Sequence, residues 1–147
     1  MPRPTQEDAS LLLRLFEMRR DPEMRRARAF MMTDFHLTAW DQLRPHYLTG
    51  DEIDRHFRMV TSYWEMVAAF VNQGLLNEDL FFDTHGEALL IWNKIQALLP
   101  EARKHVRPTY LWNLERMARR QQEWRERTYP TASKVIEAGS KLPRKSS

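Results

Sequence analysis

The segment from Asp51 to Gln73 constrains this chain more than any other. Ile53, Phe57, Val60, Trp64, Val67 and Val71 recur at alternating steps of four and three, and Met59, Tyr63, Met66 and Phe70 form a second apolar stripe beside the first. At roughly 100° per residue the two stripes cover about half the circumference of a helix, well beyond the stripe of about 100° expected of a helix lying on the outside of a single core. So wide an apolar face needs neighbours on two sides. Either the second and fifth helices flank it within one chain, or one stripe is left for a second copy.

The rest of the sequence has the same helical grammar. Glycines occur only at positions 50, 74, 86 and 139, each where apolar periodicity breaks, and β-branched residues never alternate with polar ones, so no strand is expected. Thr5 opens a first helix that runs from about residue 6 to Arg20. Asp21-Pro22 restarts the chain with a cap and a proline at the first helical position, and the second helix is expected to continue, bent, through Met31, Phe35 and Trp40 to Arg44, ahead of Pro45. Thr49 and Glu52 have the spacing of a reciprocal capping box for the central helix, which Gly74 ends in left-handed geometry. Asn77 opens a short turn of helix. A fifth helix carries Ala88, Ile91, Trp92, Ile95, Leu98 and Leu99 on one face, and Thr109 is expected to cap a last helix with Leu111, Leu114, Met117, Ala118 and Trp124.

Composition bounds the function classes. A chain of 147 residues fits one domain and buries a core without staples. With no cysteine, disulfides, thiolate nucleophiles and sulfur-based zinc sites are excluded, which favours a reducing, cytoplasmic home. Neither a signal peptide nor membrane insertion is expected, because LLLRLF is interrupted by Arg14 and is far too short to span a bilayer. The net charge of +3 conceals an asymmetry: residues 1–100 hold 11 Lys/Arg against 15 Asp/Glu, and residues 101–147 hold 12 against 5.

Three constellations carry chemical interest. Asp83, His85 and Glu87 lie within five residues, where metal binding or acid–base work is conceivable. Thr84-His85-Gly86-Glu87 has the same form as Thr49-Gly50-Asp51-Glu52, however, so Glu87 is expected to close a second capping box. His85 has Ala88 and Leu89, not a second ligand, at three and four residues onward, and the two-histidine zinc spacing is absent. His56 falls between the two apolar stripes of the central helix and is expected to be an enclosed, hydrogen-bonded histidine. Together His56, Asp83, His85 and Glu87 make a candidate buried polar site. Arg116, Arg119, Arg120, Trp124 and Arg127 make a candidate partner-binding face on the last helix. Its glutamates offer the pairs Glu115 with Arg119 and Glu123 with Arg127, more in keeping with a self-paired solvated face than with a phosphate track. Trp40, Trp64, Trp92 and Trp112 are assigned to the core; no nucleophile motif and no glycine-rich phosphate loop occurs.

The layout DPEMRRARAFMM, followed by YWEMVAAFVNQGLLNEDLFFDTHGEALLIWNKIQALLPEARKHVRPTYLWNLERMA, resembles the bacterial domain-of-unknown-function family numbered 4760. The resemblance covers most of residues 10–120 and implies a small helical protein. Members commonly carry an N-terminal membrane segment, which these residues lack, and the family implies no reaction, ligand or cofactor.

The expectation is therefore an all-α, irregular bundle of five or six helices around a central helix, a single domain over residues 1–129, and a basic, disordered tail over 130–147. Its expected role is a non-enzymatic protein-interaction module, binding a protein partner or a second copy of itself, with no catalytic residue, metal or cofactor. A nucleic-acid-associated role for the basic C-terminal third is the alternative, with weak binding, and a metal-dependent or acid–base enzyme around His56 and His85 is third. Removing residues 131–147, whose only sizeable aliphatic groups are Val135, Ile136 and Leu142, should leave the melting midpoint and the helical circular-dichroism signal per remaining helical residue unchanged.

Overall fold

The computed structural model describes residues 2–130, all helix and connecting turns, with no strand among them. The elements are α1 (Gln6–Arg19), α2 (Pro22–Thr33), α3 (Trp40–Leu43), α4 (Glu52–Asn72), α5 (Glu78–Thr84), α6 (Glu87–Ile95), a 3-10 turn (Gln96–Leu98), α7 (Leu99–His105) and α8 (Trp112–Thr128). The expected tail over 130–147 lies, beyond Pro130, outside the described residues.

Helix α4 is the centre of the bundle. Phe57, Val60, Trp64, Val67 and Val71 from its first stripe are buried, and Tyr63 from its second is buried as well, donating its hydroxyl to the Leu15 carbonyl of α1 at 2.7 Å. The principal neighbours are α2 on one side and α8 on the other, both from the same chain. The expected flanking role of the fifth helix falls instead to α8, and α6 packs on α8. Met66 and Phe70 are half-buried against the core.

The expected second helix is divided. It ends at Thr33, and Phe35 drops into the core against Phe57, with ring centroids 5.5 Å apart. Lys94 of α6 donates to the carbonyls of Met31 at 2.6 Å and Met32 at 3.4 Å, so a cation meets the last turn of α2 where its free carbonyls and macrodipole favour one. Trp40 and Leu43 then return to the core on the single turn of α3. Gly74 does end α4 with φ of +76°, and Asn77 caps α5 by accepting from the Leu80 amide at 2.9 Å.

Three expected caps are corrected. Thr49 and Glu52 do not form a box. The cap of α4 is Asp51, which accepts from the Asp54 amide at 2.9 Å. Asp54 reaches backward to accept from Leu48 at 2.8 Å and Gly50 at 2.9 Å, both residues with positive φ. Thr84 and Glu87 form no box either: Thr84 ends α5, and α6 starts at Glu87 behind Gly86, which offers no side-chain cap. Thr109 does not cap α8. That helix begins after Leu111, itself left-handed at φ 54°, and its free amides are met from another helix. Glu65 of α4 accepts from Asn113 at 2.7 Å and Leu114 at 3.2 Å.

Asp54 and Glu65 differ electrically. Burial is the largest influence on Asp54, but the Arg58 guanidinium at 2.8 and 3.0 Å and the amides of Gly50 and Leu48 together outweigh it, so its carboxyl lies below the usual range. Burial is also the largest influence on Glu65, and there the amides of Leu114 and Asn113 and the more distant Arg107 and Arg103 do not offset it, so its carboxyl lies above the usual range. A depressed folded pKa contributes stability that is complete above the unfolded value and is lost as pH falls through the folded one. Asp54→Asn should therefore cost about 2–3 kcal/mol at neutral pH, and the gap from wild type should narrow as pH falls below about 4 in urea-unfolding series.

Candidate interaction face and buried polar cluster

Glu87 has a structural role other than the expected one. Its carboxylate receives Arg28 of α2 through three contacts of 2.8, 2.9 and 3.1 Å and the Trp64 indole N–H of α4 at 3.1 Å, with Arg19 of α1 at 3.8 Å. The side chain is only 14 % exposed. One carboxylate thus joins four helices. Two guanidinium groups share it, and Arg19 also lies over the Trp64 ring, 5.3 Å from the centroid. Burial and the neighbouring Arg28 charge pull the Arg19 pKa down, while the nearby Tyr63 phenol, desolvated above all, is pushed up to about 12.

Of the remaining members of the expected buried polar site, His85 and Asp83 stay together at one cleft and His56 lies apart. His85 closes α5; its ring stacks on Phe81 with centroids 5.0 Å apart, and its Nδ1 lies 2.8 Å from the Thr84 hydroxyl. Burial, then the Arg19 charge, lowers its pKa. Asp83 is exposed, 3.5 Å from the Tyr129 hydroxyl. His85 and Asp83 line an open cleft of about 430 Å³ with Trp124, Tyr129 and Gln121, and Gln121 donates to the His85 carbonyl at 2.6 Å. His56 is elsewhere, against Phe30 at 4.9 Å and 3.7 Å from Glu52. No group of three or more His, Asp and Glu among the described residues is placed to hold a metal ion.

The last helix sorts the candidate partner-binding residues. Its inward face is Leu114, Met117, Ala118 and Gln121. Arg120 turns inward to Glu78 at 2.7 Å and Asn72 at 2.5 Å, and Trp124 is half-buried between Phe82 and Tyr129, each with centroids 5.8 Å away. Arg116, Arg119 and Arg127 remain outside. Trp112, assigned to the core by sequence, is 50 % exposed and carries the Arg116 guanidinium 5.6 Å from its ring centroid. A helical wheel places Trp112 opposite the centre of Leu114, Met117, Ala118 and Gln121, which is the signal that reveals an outward tryptophan. With Arg116, Arg119, Glu123 and Arg127 at steps of four, three, four and four, it forms one solvent-facing stripe. The Glu115–Arg119 pair forms at 2.6 Å, and Glu115 also binds Arg103 at 2.7 Å.

Removing the Glu87 charge would leave Arg19 and Arg28 uncompensated in a largely desolvated place. Glu87→Gln, which keeps an acceptor for Trp64, should cost about 2–3 kcal/mol in chemical unfolding. Zinc, manganese or nickel should leave the melting temperature of the wild-type protein unchanged, since a tight site in the folded state would raise it.

No curated protein and no solved structure gives a significant match to this chain. A family model, described as "Domain of unknown function (DUF4760)", matches residues 4–121. That span runs from Pro4, just before the cap of α1, to Gln121 on the inward face of α8, and so includes the Glu87 cluster, Asp54, Glu65 and Trp112. The chain belongs to the DUF4760 family.

Proposed function

We propose that this protein is a non-catalytic interaction module that presents the outer stripe of α8 to an acidic protein surface. The observation that carries this reading is the half-exposed Trp112 with Arg116 over its ring, continued along the helix by Arg119, whose side chain is 72 % exposed. Tryptophan and arginine are the residue types that most often dominate interface energetics, and a ring already stacked by a guanidinium gives up little conformational freedom on docking. A protein partner fits this stripe better than nucleic acid does. Arg103 and Arg119 share Glu115, Arg120 binds Glu78 and Lys104 binds Glu101, so four of the eight Lys and Arg described between residues 101 and 130 are locally paired, which interrupts a phosphate track.

The engagement of Glu87 and of the three carboxylates Asp8, Asp54 and Glu65 supports the same reading. Glu87 is taken by two arginines and an indole, Asp54 and Glu65 by loop and helix amides, and Asp8 by the amides of Thr5 and Asn77.

Full-length wild type should retain a defined set of proteins in quantitative affinity capture from its source cells. Trp112→Ala and the Arg116→Glu, Arg119→Glu pair should each deplete that set by about tenfold or more, with melting temperatures unchanged. Equal capture by wild type and both variants would overturn the proposal. Submicromolar, salt-sensitive binding of duplex or single-stranded nucleic acid, lost in the same pair, would replace it with the nucleic-acid role. A wild-type dimer converted to a monomer by Trp112→Ala would identify the partner as a second copy.

A further inference from the structure

A second site lies on another face of the bundle from the α8 stripe. Between α4 and the turn that joins α7 to α8 is a cavity of about 370 Å³, within the size range of small-molecule pockets. Met66, Ala69 and Leu111 supply apolar wall, and Tyr47 and Tyr110 meet edge to face with centroids 6.3 Å apart. The polar groups at the cavity are not equivalent. Arg58 is paired with Asp54, and Glu65 is occupied by the Asn113 and Leu114 amides. Arg107 has no carboxylate within ion-pair distance among the described residues; its guanidinium stands 5.9 Å from the centroid of the Tyr110 ring.

We infer that this cavity binds a small carboxylate with an aromatic or branched apolar body. The body would lie against Met66, Ala69 and Leu111 beside the two tyrosines, and the carboxylate would supply the counter-charge that Arg107 lacks. Three features point to a built pocket and not a packing gap. Its wall includes Leu111 in left-handed geometry, a conformation that a β-unbranched but bulky side chain adopts only at an energetic cost. That turn is held from behind by Glu65, a carboxylate kept in a desolvated place where burial raises its pKa. The single unpaired cation at the cavity sits on the ring that forms part of its wall, so an entering carboxylate meets charge and aromatic surface together. Arginine, with its planar fork of donors, is suited to bind a carboxylate through two parallel hydrogen bonds. A phosphate ester is disfavoured, because the cavity offers one unpaired cation where a dianion calls for two.

The test is titration of isotope-labelled full-length protein with phenylacetate, using phenylacetamide as the neutral isostere and following backbone amide resonances. Phenylacetate should bind saturably in the submillimolar range, shifting Leu111, Asn113 and residues around Ala69, and phenylacetamide should bind about tenfold or more weakly. Arg107→Met, at an exposed position where the aliphatic stem is kept, should reduce phenylacetate affinity by a similar factor without changing the melting temperature. Ala69→Phe should fill the cavity and abolish binding. No saturable shift at several millimolar phenylacetate, equal affinity for the amide, or full affinity in Arg107→Met would each overturn the inference. Resonance shifts confined to α8 residues beyond Arg116 would overturn it too, by placing the carboxylate on the outer stripe.

Discussion

A polar seam along α4 holds the loops of this bundle in place. Asp54, Arg58, Thr61, Glu65 and Asn72 follow steps of four, three, four and seven, the same periodicity as the apolar stripes, and they share one face of the helix. At one end Asp54 gathers the amides of Leu48 and Gly50; in the middle Glu65 gathers those of Asn113 and Leu114; at the far end Asn72 donates to the Asn113 carbonyl at 3.1 Å. Each carboxylate serves a turn that contains a left-handed leucine. Without those acceptors the turns would carry both backbone strain and buried unpaired amides, and neither would be stable. The course of the chain into α4 and into α8 is thus set by side chains of α4 itself.

The seam also explains which parts of the fold were legible in the sequence. The apolar stripes of α4 and α6 could be read because burial follows helical spacing, and Phe57, Trp64, Ile91 and Ile95 are all in the core. Caps were less legible because the local grammar is degenerate. Around residue 50 the spacing of Thr49 and Glu52 suits a box, but Asp51 is the cap and Asp54 turns to the loop amides of Leu48 and Gly50, a choice that no local pattern states. Glu87 was misassigned for a related reason. Its spacing from Thr84 suits a box, but Arg28, 59 residues earlier in the chain, offers a charged, bidentate partner that no local pattern contains. The cap of α8 was out of reach altogether, since its acceptor lies on another helix.

The candidate site residues divide along the same line. Arg116 and Arg119 could be placed on the solvent face by spacing alone, and the structure brings Trp112 to them. Arg120 differs from Arg119 by one position on the wheel, yet that rotation carries it to Glu78 and Asn72. Asp83, His85, Glu87 and His56 were grouped by sequence proximity or by enclosure, and the fold keeps only Asp83 and His85 at one cleft. Glu87 enters the four-helix junction, His85 stacks on Phe81 at the cleft, and His56 stays with Phe30. Proximity along a chain is a poor guide to a shared site at a helix junction, because the break between α5 and α6 sends consecutive side chains in different directions.

The first turn of α8 is where the two proposed binding regions meet. Leu111 lines the cavity and Trp112, the next residue, stands on the outer stripe. Their backbones are joined by one planar peptide unit, so the direction of the Trp112 side chain depends on the left-handed geometry of Leu111. That geometry depends in turn on Glu65, whose carboxylate fixes the two amides immediately beyond. A ligand that packed on Leu111 would restrain this turn and hold Trp112 with it, adding to what Arg116 already does over the ring. Coupling of this kind needs no change of fold. It requires only that an occupied cavity narrow the range of a turn that an exposed tryptophan shares, so that less conformational entropy is lost when a partner binds.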